Sequence, residues 1–140
     1  MAKSAQVSKS QYERLAAFRY ALRRFLRFSE QAARAAGLTP QQHQALLAIK
    51  GFPGRDQVTV GELAERLQLR HQSAVGLVDR LVSEKLVARA PSPQDRRQVF
   101  VELTRHGDAV LAGLSALHHR QLKQMGPEFS RLFRQLIRGR

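Results

Sequence analysis

The sequence predicts a mainly α-helical fold with a small two-stranded β-wing. Three observations carry that expectation. Apolar residues recur at three- and four-residue steps along most of the chain. Two helical runs open on capping boxes, and the second leads into another helix after a very short turn. Finally, a Pro-rich, basic turn, Gln94-Asp95-Arg96-Arg97, runs into an alternating strand that stops at Thr104. A hairpin placed after a helix-turn-helix is the plan of a winged helix-turn-helix, here flanked by helices at both ends.

Taken in order, the first segment spans about Gln11 to Ala36, with Leu15, Phe18, Leu22, Phe25 and Leu26 forming one stripe and Gly37 ending the helix. Thr39-Pro40-Gln41-Gln42 starts the second: a Thr cap, Pro at the first helical position and a Gln completing the box. It carries Ala45, Leu46, Leu47 and Ile49 until Gly51, Pro53 and Gly54 break the pattern. Thr59-Val60-Gly61-Glu62 opens a short helix with Leu63, Ala64 and Leu67 inward, and a further helix runs from about His71 to Lys85 on Ala74, Leu77, Val78, Leu81 and Val82. Leu86 to Ala90 and Gln98 to Leu103 read as the paired strands of the wing. Thr104 then caps a long helix to about Met125, Gly126-Pro127 breaks it, and a last helix shows Phe129, Leu132, Phe133, Leu136 and Ile137.

Composition bounds the function. The chain has 140 residues, about one domain, and 43% hydrophobic residues, enough for a packed core. Its 24 Lys and Arg against 11 Asp and Glu give a formal charge of +13, which suits a polyanion but does not choose between nucleic acid, an anionic membrane surface and plain solubility. With no cysteine, disulfides, thiolate metal sites and thiol-based oxidant sensing are excluded. No apolar run is long enough to span a bilayer and Met1 to Gln6 lacks a signal-peptide core, so a cytoplasmic protein without a membrane partner is expected. His43, His71, His106, His118 and His119 form no metal-ligand or triad pattern, and the adjacent His118 and His119 suit chelation poorly. Neither catalysis nor a cofactor or metal is expected.

The apolar stripes of the terminal helices need a surface to cover them. That surface is either a second copy of the chain, giving an isologous dimer, or the central module itself; the dimer is the simpler reading and would match two half-sites about 34 Å apart. The expected layout is residues 1–36 as an N-terminal dimerisation helix, 37–104 as the winged helix-turn-helix and 105–140 as C-terminal dimerisation helices, in one compact domain overall.

An ordered set of segments now identifies a resemblance: Leu38-Thr39-Pro40-Gln41-Gln42, Gly61 to Leu67, Leu77-Val78-Asp79-Arg80-Leu81, Lys85-Leu86-Val87, and Asp95-Arg96-Arg97 running to Leu103-Thr104. Together they resemble the MarR family of dimeric winged-helix transcriptional regulators over about Gly37 to Gly107. The resemblance implies binding of a pseudo-palindromic double-stranded operator by a homodimer, usually repression, and often release of DNA by a small aromatic or phenolic ligand.

A recognition helix offers its first turns to the major groove, which makes Arg70, His71, Gln72, Ser73, Val75 and Gly76 the candidate readers. Arg70 and Gly76 depart from the family's usual Ser or Thr cap and longer polar residue, so its operators do not transfer. In the wing, the resemblance implies that one arginine enters the minor groove while Asp95 braces the loop by pairing with an arginine; Arg97 is assigned to the groove and Arg96 to the brace or a phosphate. Arg80 and Arg89 are candidate phosphate contacts, Arg80 having Asp79, Glu84 or a neighbouring helix as alternative partners. His43, Leu47, Phe18 and Leu22 are the candidate ligand contacts. Much of the charge excess falls on the terminal helices, at Arg120, Lys123, Arg131, Arg134, Arg138 and Arg140, which leaves open a sequence-tolerant, architectural DNA-binding protein without a ligand.

Overall fold

The computed structural model describes residues 6–138. The Met1 to Ala5 portion of the signal-peptide reading and the cation Arg140 lie outside the described residues. The element order is α1 (Lys9–Ala35), α2 (Pro40–Lys50), β1 (Gln57–Val58), α3 (Val60–Leu67), α4 (His71–Ser83), β2 (Val87–Pro91), β3 (Val99–Leu103) and α5 (Arg105–Arg138). The described chain divides into two compact units, one of residues 32–115 and the other of the residues up to 31 and from 116 onward.

The central unit begins where α1 stops. Gly37 adopts φ +84°, and the amides of Gly37 and Leu38 return to the carbonyls of Arg34 and Ala33 at 3.0 and 2.9 Å. This closing turn satisfies carbonyls that a helix end leaves unpaired, and its left-handed residue is easiest for glycine. Both capping boxes form: Thr39 with Gln42 on α2, and Thr59 with Glu62 on α3. Leu46, Ile49, Leu63, Leu77, Val78, Leu81, Val87 and Val101 are then sealed into one core. Removing such side chains from water is the main source of stabilisation, at about 25 cal/mol per Å² of apolar surface.

The sheet has three strands in the order β1-β3-β2, both pairings antiparallel. The expected two-stranded wing is β2 with β3, and a third strand that the sequence does not predict, β1, joins it along β3. Gln57 and Val58 pair with Glu102 and Val101, and Val58 is fully buried. A two-residue strand has no room for a period to show, and only its pairing with distant β3 defines it. The wing strands match at Val87 with Leu103 through Pro91 with Val99. The recognition-helix pattern also ends earlier than Lys85: α4 stops at Ser83, and Lys85 takes φ +61° while Leu86 donates its amide to Leu81 at 2.9 Å.

Thr104 caps α5 as expected, accepting the Gly107 amide at 3.0 Å while its hydroxyl donates to the Lys85 carbonyl at 2.6 Å. Gly107 is required there, because a Cβ would run into the Leu86 carbonyl oxygen. The expected break at Gly126-Pro127 does not occur: α5 is one helix of 34 residues with Pro127 inside it. An interior proline costs about 3 kcal/mol. In the terminal unit that cost is offset by apolar packing on both sides of it, from Met125 and Leu132, and by Phe129, whose ring meets Phe18 and Phe25 edge-on at 6.4 Å. His118 belongs to the same layer, bonding the Ser29 hydroxyl at 2.7 Å and lying against Phe25 and Phe28.

Candidate nucleic-acid interface

The helix-turn-helix consists of α3, the residues Gln68 to Arg70, and α4. Gln68 takes φ 54°, and Leu69 donates its amide to Ala64 at 2.9 Å, so the chain reverses without a glycine. Ala74, Leu77, Val78 and Leu81 anchor α4 in the core. Its helical period then leaves Arg70, His71, Gln72 and Ser73 exposed, with Val75 and Gly76 half-buried. A Cβ at Gly76 would meet nothing within 4 Å, which leaves space along that side of the helix. Arg70 occupies the cap position without a side-chain capping bond. Together with Gly61, Ala64, Glu65, Gln68, Leu69 and His71 it lines an open groove of about 460 Å³ at the turn.

Three polar contacts fix this module. Glu62 is held below the usual carboxylate range: partial burial pushes it up, but the Thr59 amide and the Arg55 guanidinium outweigh that. Arg55 also stacks over Phe52 and Phe100 at 4.4 and 5.5 Å, tying the loop before β1 to β3. The buried Gln42 accepts the Thr39 amide and donates to Glu84 at 2.7 Å, joining the start of α2 to the end of α4. Near the other end of α2, the Asp108 carboxylate raises the Lys50 pKa by hydrogen bonding and charge, with Asp56 a lesser contributor.

The wing is pinned by two side chains. Ser92, buried, accepts the amides of Gln94 and Asp95 at 3.3 Å and donates its own amide to Gln98 at 3.0 Å. Asp95 accepts the Arg97 amide at 2.9 Å and, through its carbonyl, the Gln98 amide. Arg96 and Arg97 are left exposed at the tip. The brace expected from Asp95 therefore runs to the backbone of Arg97 and not to a guanidinium, because a short carboxylate reaches an amide two residues on more easily than a long side chain pointing outward. Ser92 is absent from the residues that sequence reasoning singles out; a Ser flanked by Pro91 and Pro93 and followed by Asp95 is the turn signal that could have found it.

Arg89 is exposed in part but held in an ion pair by Asp79, which joins the wing to α4. Asp79 and Glu84, the two acids considered for Arg80, are thus engaged by Arg89 and Gln42, and Arg80 is exposed. Of the candidate ligand contacts, His43 is 3% exposed on α2 whereas Leu47 is 46% exposed. Phe18 and Leu22 are half-buried on α1, and the Phe18 ring packs against Phe129 and Phe133. Among the described residues no three His, Asp or Glu side chains converge to hold a metal ion, and no helix is long and apolar enough to cross a membrane.

The model of the MarR family matches residues 36–98. Transcriptional regulator HosA of Escherichia coli O111:H- is 30% identical over 105 residues, 72% of this chain and 76% of HosA. The HTH-type transcriptional repressor MdtR of Bacillus subtilis is 33% identical over 96 residues; the match takes in 66% of this chain but only 60% of MdtR. Among solved structures, a mutant MarR from E. coli complexed with operator DNA superposes with TM-score 0.66 at 25% identity, covering 86% of this chain and 87% of that one.

Proposed function

The chain belongs to the MarR family, and from that premise we propose that it is a homodimeric transcriptional regulator, a cytoplasmic repressor that binds a pseudo-palindromic double-stranded operator. The observation that carries the reading is the pairing of an α4 whose first turns are polar and exposed with a wing pinned so that Arg96 and Arg97 project. In this reading Gln72 bonds an adenine edge, Arg70 a guanine or a phosphate, and Val75 a thymine methyl. His71, Ser73 and Gly76 complete the reading face, and Arg80 takes a phosphate. Arg97 enters the minor groove, where negative potential is concentrated and a flat guanidinium fits. Arg89, held by Asp79, serves the wing root first and the phosphates second.

Dimerisation is supported by the apolar side chains the terminal unit leaves in water, Leu15 and Leu26 on α1 and Leu122, Phe133 and Ile137 on α5. A repressor named as such, MdtR, supports the sign of regulation. Release of DNA by a small aromatic or phenolic ligand is proposed to involve His43 and Leu47 of α2.

The test is fluorescence anisotropy of the purified protein on the duplex upstream of its own gene and on a scrambled duplex at physiological salt. The reading expects at least ~10³-fold preference for the first, lost on Arg97→Ala. Equal, salt-sensitive binding of both duplexes, together with no motif enriched from random DNA, would contradict it.

A further inference from the structure

The terminal unit's sequence, residues 1–31 and 116–140, holds 13 of the 24 Lys and Arg but 3 of the 11 Asp and Glu, so it carries +10 of the chain's +13. The winged helix-turn-helix unit, by contrast, is nearly balanced. On α5 the excess is ordered. Arg120, Lys123, Arg131, Arg134 and Arg138 fall within about 80° of one another at 3.6 residues per turn, and all five are exposed. Between Arg120 and Arg138 the same arc holds one other residue, Pro127. The arc points away from Met125, Phe129 and Leu132, the face that packs in the unit's own layer. None of the five pairs with a carboxylate among the described residues; the ion pair of this region, Arg24 with Glu128, lies outside the arc. On α1, Arg19, Arg23 and Arg27 form a second exposed row at four-residue steps.

Like charges three and four residues apart on a helix oppose its formation. Arg138 has a local reason to be there, the negative end of the helix dipole, but Arg120, Lys123, Arg131 and Arg134 do not. We infer that the α5 stripe is a second surface for duplex DNA, one that holds the phosphate backbone without reading sequence. Its chemistry selects that partner. Four of the five cations are arginines, which match phosphate oxygens in a planar fork. The arc has no aromatic on which an unpaired base would stack, and no apolar residue besides Pro127 to enter a lipid surface. Its length, about 27 Å at 1.5 Å per residue, spans about eight base pairs at 3.4 Å each. A second copy covering the apolar side chains of this unit would leave the cations free, since they occupy a different arc from Leu122, Phe133 and Ile137.

The test is a salt titration of binding to a scrambled duplex by the full chain, by a variant with Arg120, Lys123, Arg131, Arg134 and Arg138 all changed to Gln, and by one with the four arginines changed to Lys. The Gln variant is expected to lower the slope of log affinity against log salt by about 2 to 4, at roughly 0.9 for each phosphate no longer neutralised, and the Lys variant to restore most of it. Arg97→Ala combined with the Gln variant is expected to lower the slope additively, so the stripe is measured even if operator reading fails. An unchanged slope in a Gln variant whose helical circular dichroism is retained would overturn the inference. So would loss of binding to phosphatidylglycerol vesicles with duplex binding intact.

Discussion

The two units of this chain solve opposite problems. The central one encloses Leu46, Leu63, Leu77, Leu81 and Val101 in a core and leaves few large apolar side chains outside, chiefly Leu47 and Val99. The terminal one leaves Tyr12, Leu15, Tyr20, Leu26, Leu122, Phe133 and Ile137 in water and carries most of the net charge. The first encloses its apolar side chains in its own core; the second leaves an apolar side that we propose a partner copy covers and a basic side that we propose holds a polyanion. Net charge and the proposed reading face therefore fall on different units of this protein. The side chains proposed to read sequence sit on the unit with the smaller excess, carried by a helix anchored in the core and a pinned wing.

The sharpest way to break the comparison is at the close approach inside the central unit. Gly107→Ala forces a Cβ against the Leu86 carbonyl, and a loss of about 3 kcal/mol in denaturant unfolding is expected, since backbone there cannot yield as a flexible side chain would. A paired test follows. Leu81→Ala should cost about 2 to 5 kcal/mol of central-unit stability, whereas Ile137→Ser, at a position 69% exposed, should leave unfolding of the single chain nearly unchanged and weaken self-association measured by sedimentation. If Ile137→Ser destabilised the chain at concentrations too low for association, the terminal unit would be self-sufficient and the contrast would fail.

Electrostatics sharpens the same point more gently. Glu62 has its folded pKa lowered, so its contribution is present above the ordinary carboxylate pKa and is lost as pH falls through the folded value. Glu62→Gln should therefore flatten the acid limb of the stability profile. Lys50 has its folded pKa raised by Asp108, so its contribution holds below the ordinary lysine value of 10.5 and is lost above it; Lys50→Met should flatten the alkaline limb. The smallest effect is a gain. Lys85 stands at φ +61°, and Lys85→Gly should raise stability by about 1 kcal/mol by relieving a left-handed residue.

Much of the fold was legible in the sequence because local chemistry and global architecture agree. Thr39 with Gln42 and Thr59 with Glu62 mark helix starts with two bonds each, and Gly37 marks an end; such signals need no tertiary knowledge. The exposed turns of α4 followed from period, and the roles expected of the wing arginines came from the family resemblance. What was not legible depended on long-range packing. Nothing local distinguishes Gln57 and Val58 from loop, because only backbone pairing with Glu102 and Val101 of β3 makes them a strand. Gly126-Pro127 reads as a stop, yet aromatic packing after it keeps the helix going. Arg89 reads as a free cation until the fold brings Asp79 beside it, ten residues away in sequence.

The central claim is that α4 and the wing read a two-fold DNA site. It is tested most directly by selecting bound sequences from a pool of random duplexes with the full chain and with Gln72→Ala. The account predicts an inverted repeat with half-sites about one helical turn, ~34 Å, apart, and a loss of preference confined to symmetric positions in the variant. A pool that stays random after selection with the full chain, while binding remains strong at low salt, would contradict it.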